Sequence, residues 1–204
     1  TARDVTTTAD GAVSVFAIDL DDDGNMDVLA ASIDDNKITW FENDGSGNFT
    51  GHVISTTATG AFTVHAADVD GDGDMDVLSA SFSANKIAWY KNDGSENFTE
   101  HVISTSASGA RSVYATDVDG DGHMDVLSAS YDDDKIAWYK NDGSENFTEQ
   151  VISTSANEAH SVYAADVNGD GDLDVLSAST SDNKIAWYEN DGSENFTERV
   201  ISTS

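Results

Sequence analysis

Four short stretches hold the residues of this chain best suited to chemistry. They read DLDDDGNMDVL from Asp19, DVDGDGDMDVL from Asp68, DVDGDGHMDVL from Asp117 and DVNGDGDLDVL from Asp166. Loop positions one, three, five and nine carry side-chain oxygens, and position six is glycine. Hard oxygen donors at this spacing suit Ca2+, which takes roughly six to eight of them. The glycines Gly24, Gly73, Gly122 and Gly171 supply the sharp turn that lets the oxygens converge. The predicted ligands are Asp19, Asp21, Asp23, Asn25 and Asp27; Asp68, Asp70, Asp72, Asp74 and Asp76; Asp117, Asp119, Asp121, His123 and Asp125; and Asp166, Asn168, Asp170, Asp172 and Asp174. Position seven varies in type (Asn25, Asp74, His123, Asp172), as expected if only its backbone carbonyl binds. Asn168 keeps an oxygen at position three but removes a charge, so the fourth loop is expected to bind more weakly.

A helix-flanked calcium loop would place a bidentate glutamate at position twelve. Here that position holds Ala30, Ser79, Ser128 and Ser177. The carboxylate at position nine starts an outgoing strand instead, so the ion is expected to clip a hairpin. Mg2+ fits less well, because it demands octahedral geometry and keeps its water. Acidic surface turns are the plainer alternative, and four recurrences of one pattern weigh against them.

The loops belong to a repeat. Successive loops start 49 residues apart, and Trp40, Trp89, Trp138 and Trp187 keep the same step. Residues 68–116 and 117–165 differ at only ten positions, which suggests recent duplication or consensus design. Within one repeat, Ser112–Thr116, Val126–Ser130, Lys135–Tyr139 and Phe147–Ser153 are rich in β-branched and aromatic residues and read as strands. Asn141-Asp142-Gly143 reads as a hairpin turn. A four-stranded sheet of this size cannot bury both faces alone, so the repeats must stack face to face. The expected fold is all-β, a β-propeller of four four-stranded blades over residues 1–204, with a Ca2+ loop in each blade. A solenoid is the rival, but its coils are usually shorter. Val5 to Thr8 align with Ile54 to Thr57 at the end of a fourth strand, and the last repeat already ends in a complete one. An N-terminal strand completing the last blade is therefore not expected.

Asp-x-Asp-x-Asp-Gly-x-x-Asp between strands, followed by Ile-x-Trp-Tyr/Phe and Asn-Asp-Gly, resembles the FG-GAP or VCBS-type repeats of the integrin α-subunit propeller and of certain propeller lectins. The resemblance covers essentially the whole chain. It implies a propeller with one Ca2+ per blade, carried by the aspartates at positions one, three, five and nine and by Asn168. That family commonly closes with about seven blades, whereas this chain has four. An open array would expose apolar blade faces, which soluble proteins avoid. A homodimer closing an eight-bladed ring is expected, ahead of a compact four-bladed ring or excision from a longer protein.

The net charge of -30 excludes nucleic acid and anionic membrane surfaces as partners, since phosphate binding needs clustered Lys and Arg. No apolar run is long enough to span a bilayer, so no membrane insertion is expected. The first residue is Thr1, and a processed or excised segment is expected, with an extracellular or cell-surface location. Cysteine is absent, which leaves no disulfide framework. The four tryptophans are expected in the core between blades, as are Phe41, Tyr90, Tyr139 and Tyr188. The histidines suggest no repeated site. Asn48, Asn97, Asn146 and Asn195 each begin Asn-Phe-Thr, a glycan acceptor pattern that reads better as a turn asparagine. Functionally, a Ca2+-stabilised binding module for a glycan or a protein is expected, with repeated sites adding avidity. A scaffold with no ligand but Ca2+ is the alternative. A propeller enzyme is not expected, because near-identical units offer little of the asymmetry catalysis needs.

Overall fold

The computed structural model describes residues 4–203. The described residues form sixteen strands in four antiparallel sheets, with no helix among them. The first sheet comprises β1 (Ala12–Ile18), β2 (Asp27–Ser32), β3 (Lys37–Asn43) and β4 (Phe49–Ser55). The second comprises β5 (Ala61–Ala67), β6 (Asp76–Ser81), β7 (Lys86–Asn92) and β8 (Phe98–Ser104). The third comprises β9 (Ala110–Thr116), β10 (Asp125–Ser130), β11 (Lys135–Asn141) and β12 (Phe147–Ser153), and the fourth β13 (Ala159–Ala165), β14 (Asp174–Ser179), β15 (Lys184–Asn190) and β16 (Phe196–Ser202). In each sheet the strands pair in chain order, the meander expected of short runs separated by tight turns.

Register gives each sheet two apolar faces. Leu127 lies opposite both Tyr114 and Trp138, while Val126 lies opposite Ala115 and Tyr139 on the other face. The leucine face of one sheet packs on the valine face of the next. Leu29, Ala31, Ile38 and Trp40 of the first sheet meet Ala61, Val64, Ala66, Val77, Ala88 and Tyr90 of the second. The same positions recur between the second and third sheets and between the third and fourth. Small alanines on the valine face let the sheets approach closely, and the tryptophans Trp40, Trp89 and Trp138 fill the space between them. The first strands β1, β5, β9 and β13 lie beside one another along the inner edge of a curved array.

A polar link repeats at each junction. Asn36, Asn85 and Asp134 sit in the turn after the second strand with φ of 58°, 53° and 57°. This left-handed conformation aims each side-chain Oδ1 at the next sheet, where it accepts from the backbone N–H of Gly60, Gly109 and Glu158 at 2.8, 2.8 and 2.7 Å. The lysines add a second link: Lys135 and Lys184 donate to the carbonyls of Ser106 and Ser155 in the preceding repeat.

The array is a row of four sheets whose ends do not meet. Val5 to Thr8 join no strand among the described residues, and Thr1 to Arg3 lie outside them. Trp187 is half-buried, unlike its three equivalents, because no sheet among the described residues packs on its face.

Candidate functional site

Each aspartate loop joins the first strand of a sheet to the second. Three loops bring carboxylate oxygens together: Asp19, Asp21 and Asp27; Asp68, Asp70 and Asp76; and Asp117, Asp119 and Asp125 each lie with one oxygen within 4.8 Å of the others. Oxygens bound to one Ca2+ at about 2.3 to 2.6 Å lie at most about 5 Å apart, so the spacing fits that ion. In the fourth loop Asn168 replaces the carboxylate at position three and its amide donates to Asp170, 2.7 Å away.

Loop shape comes from position one. Asp68 accepts from Gly71 and Asp72 through Oδ1 and from Gly73 through Oδ2, at 2.8, 3.1 and 3.1 Å. Asp117 and Asp166 repeat the contacts with the glycines at positions four and six. Gly73 has a φ of 100°, a conformation that only glycine adopts freely, and this points its N–H inward. The carboxylates at position five, Asp23, Asp72, Asp121 and Asp170, lie outside the three-oxygen groups. Each accepts from the backbone N–H at position seven, at 2.8 to 3.0 Å. The position-seven side chains of Asp74 and His123 lie outside the groups as well, and Asn25 donates its Nδ2 to Asp23 at 2.9 Å.

Position nine has a role beyond the loop. Asp27, Asp76, Asp125 and Asp174 are fully buried. In the third sheet Oδ2 of Asp125 accepts from Val118 N at 3.1 Å and Oδ1 from Asn141 N at 2.8 Å. The other three make the same pair of bonds, and Trp40 Nε1 donates to Asp27 at 2.9 Å. One carboxylate thus ties the loop, the second strand and the end of the third strand together. Burial pushes Asp76 and Asp125 up to about 6, against the backbone N–H bonds that favour their charged form.

The residue two places after each tryptophan separates the loops into two kinds. Lys91 pairs with Asp70 of its own loop, and Lys140 with Asp119. Each lysine also reaches a glutamate of the following repeat, Glu145 at 2.8 Å and Glu194 at 2.6 Å. Those carboxylates hold both lysines above their usual range. The first and fourth repeats carry Glu42 and Glu189 instead. Glu42 adds negative charge beside Asp21, whose carboxyl is raised by burial and then by its acidic neighbours. Glu189 turns to Arg199 of its own sheet.

The far end of the first strands, about 20 Å away at the usual rise per residue, is built differently in every repeat. A bulge at the second residue of β5 and of β13, and at the equivalent place in β9, leaves Phe62, Arg111 and His160 at this mouth. Arg111 lies 3.7 Å from the ring centre of Tyr131 and 5.1 and 5.3 Å from those of Phe62 and Phe82. It has no ion pair among the described residues, and its Nε is buried without a hydrogen bond. Phe62 meets His160 across the intervening repeat, ring centres 5.9 Å apart. Glu158 stands at a φ of 56° where the other three repeats have glycine; it accepts from Thr180 at 3.1 Å, and its carboxylate pushes the nearby Tyr131 hydroxyl up. Deeper along the inner edge, Phe16, His65, Tyr114 and Tyr163 form a ladder with ring centres 4.7 to 4.9 Å apart. Burial pushes His65 down to about 4, so it is neutral at pH 7.

A profile of FG-GAP-like repeats matches residues 19–79, 68–128, 117–177 and 166–204. The chain belongs to the FG-GAP-like repeat family. No curated protein matches it. Among solved structures this FG-GAP-like chain is similar to a catalytically inactive virginiamycin B lyase from Staphylococcus aureus crystallised with quinupristin, at 18% identity and a TM-score of 0.65. It is similar also to the biofilm matrix protein Bap1 of V. cholerae (20%, 0.59) and to a putative 6-phosphogluconolactonase from Bacteroides uniformis (15%, 0.64). It is matched over 97%, 91% and 94% of its own length, but spans 58%, 28% and 55% of theirs. At such identities the likeness carries the fold, which is β-propeller-like.

Sequence reasoning named the aspartates of these FG-GAP-like loops but missed Lys91, Lys140 and the mouth. The alternation Glu42, Lys91, Lys140, Glu189 was a readable signal of unequal loops. Arg111 carried none, because a bulge decides where it points. The Asn-Phe-Thr asparagines behave as turn residues: Asn48, Asn97, Asn146 and Asn195 each donate Nδ2 to the turn aspartate four residues earlier.

Proposed function

We propose that the chain is a calcium-stabilised, non-catalytic recognition module, working outside the cell or at its surface, that reads a glycan or a protein at the mouth around Arg111. Asp19, Asp21 and Asp27 and their counterparts in the second and third repeats would hold the ions, fixing the hairpins and neutralising crowded carboxylates. One observation carries the recognition reading. Of the ten differences between residues 68–116 and 117–165, seven fall at Phe82, Ser83, Ala84, Asn85, Ser108, Gly109 and Arg111 and their counterparts, all on the rim that forms the mouth. The frame and the opposite loops stay nearly constant while the mouth varies in size, charge and backbone conformation. A frame needs sameness, and a binding surface needs one particular arrangement. The strained Glu158, the aromatic-clad Arg111 and its unbonded buried Nε supply that arrangement, and backbone strain of this kind gathers at functional sites. A single composite site therefore replaces the four equal sites expected from the repeat. The extracellular setting is supported by the family and by the acidic surface. No helix among the described residues is long and apolar enough to cross a membrane.

Arrays of glycans and of extracellular protein fragments, probed in Ca2+ with the native chain and with Arg111→Ala, test the proposal. Ligands held by the native chain and released by Arg111→Ala are expected. Ligands held equally by both would place recognition elsewhere, and an array with none would favour a scaffold.

A further inference from the structure

Each junction between sheets gathers three charged groups: position three of an aspartate loop, the residue two places after the tryptophan, and a glutamate of the following repeat. At the second junction these are Asp70, Lys91 and Glu145, and at the third Asp119, Lys140 and Glu194, with the ammonium between two carboxylates. Oδ2 of Asp70 and Oδ2 of Asp119 are shut off from solvent and accept no hydrogen bond besides that ion pair. At the first junction the same three places hold Asp21, Glu42 and Glu96. Glu42 stands beside Asp21 and lies 2.9 Å from His52. Asp21 and Glu96 line one cleft of about 150 Å³ together with Asp19, Asp22 and Asp74, and neither pairs with a lysine or arginine among the described residues.

The loops therefore agree in shape and differ in charge. In the second and third, an ion must share the position-three carboxylate with an ammonium already seated on it. In the first nothing competes, and Glu42 and Glu96 add attraction. A unit charge about 5 Å from a divalent ion changes its affinity about tenfold even in water. Glutamate in place of lysine is a difference of two charges, hence about a hundredfold. The fourth loop lies between these extremes: Asn168 gives up a carboxylate, and Glu189, 3.4 Å from its amide, returns one.

We infer that the first loop is the strongest Ca2+ site of the chain, its ion supplying the positive charge that Lys91 and Lys140 supply at the next two junctions, and that these lysines weaken the second and third loops by competition. The inference rests on the calcium reading of the loops. An ion entering the second or third loop releases the lysine to Glu145 or Glu194 alone.

Calorimetric titration of the chelator-treated chain with Ca2+ tests this. A tight class of sites and a class about a hundredfold weaker are expected. Lys91→Met with Lys140→Met should tighten the weak class about tenfold, and Glu42→Lys should remove the tightest site. Both lysines also join sheets, so a second pair of variants separates competition from a loosened junction. Glu145→Gln with Glu194→Gln breaks the same junction pairs but leaves each lysine on its aspartate, and should weaken binding about threefold. Opposite signs for the two pairs are expected. The same sign in both would show that the junction, not competition, sets affinity and would overturn the inference, as would one class of equal sites in the native chain. A chain that takes up no Ca2+ at all would overturn the calcium reading and the grading with it.

Discussion

Aspartates of the same loop do unlike work. Asp121 is exposed and accepts one N–H from the turn that it shapes. Asp125, four residues on, is buried and holds N–H groups from two separate segments. Removing a buried acceptor leaves those donors unpaired, a cost of about 3 kcal/mol, whereas an exposed turn bond is worth about 1 kcal/mol or less. Asp125→Ala is therefore expected to lower the urea midpoint sharply even in excess chelator, and Asp121→Ala to do so only slightly there. Equal losses in the two variants would show that position nine acts through the ion alone. Legibility differs in the same way. The carboxylates at positions one and three could be read as ligands because spacing is a property of the chain itself. The double duty of position nine could not, because Val118 and Asn141 reach Asp125 only once three strands are in register.

Strands and turns were the most legible elements. β-Branched runs bounded by Asn-Asp-Gly leave little choice, and Phe147–Ser153 was read with the bounds that it has in the sheet. What stayed hidden is the conformation of single turn residues. Asn85 looks like any polar turn residue, yet its positive φ turns it into a clamp on the next sheet. Glu158 occupies a place where the other repeats have glycine, and holding a residue with a Cβ in the left-handed region costs about 1 to 2 kcal/mol. Its side-chain bond to Thr180 is solvent-exposed and recovers less. Glu158→Gly is accordingly expected to raise the unfolding free energy by about 1 kcal/mol, while weakening any ligand that binds at the mouth. A destabilised Glu158→Gly chain would mean that the side chain holds the fold rather than the site.

The whole molecule combines a stacked core with a heavily negative surface. The stacking was foreseen from the repeat length and the unburied faces; the open ends follow from four sheets whose curvature does not bring Leu176 and Trp187 back onto Val15. The proposed cation binding would be linked to folding, because the carboxylate groups assemble only in the folded chain. At free Ca2+ a hundred times the dissociation constant, each loop adds about 2.7 kcal/mol, so three loops add about 8. At about 2 to 4 °C per kcal/mol for a chain of this size, chelation is expected to lower the melting temperature by about 20 °C. The drop should be larger at low ionic strength, where the repulsion is unscreened. A melting curve that ignores chelator would rule out structural Ca2+.

Apart from the Phe62–His160 contact at the mouth, each sheet of the single chain leans on its immediate neighbours, so the inner two have support on both sides and the outer two on one. Stability in such a row is a sum of nearest-neighbour terms, and the chain should unravel from its extremities inward. Backbone amide protons of β2 and β14 should exchange with deuterium sooner than those of β6 and β10, and uniform protection along the row would show that the extremities are tied together.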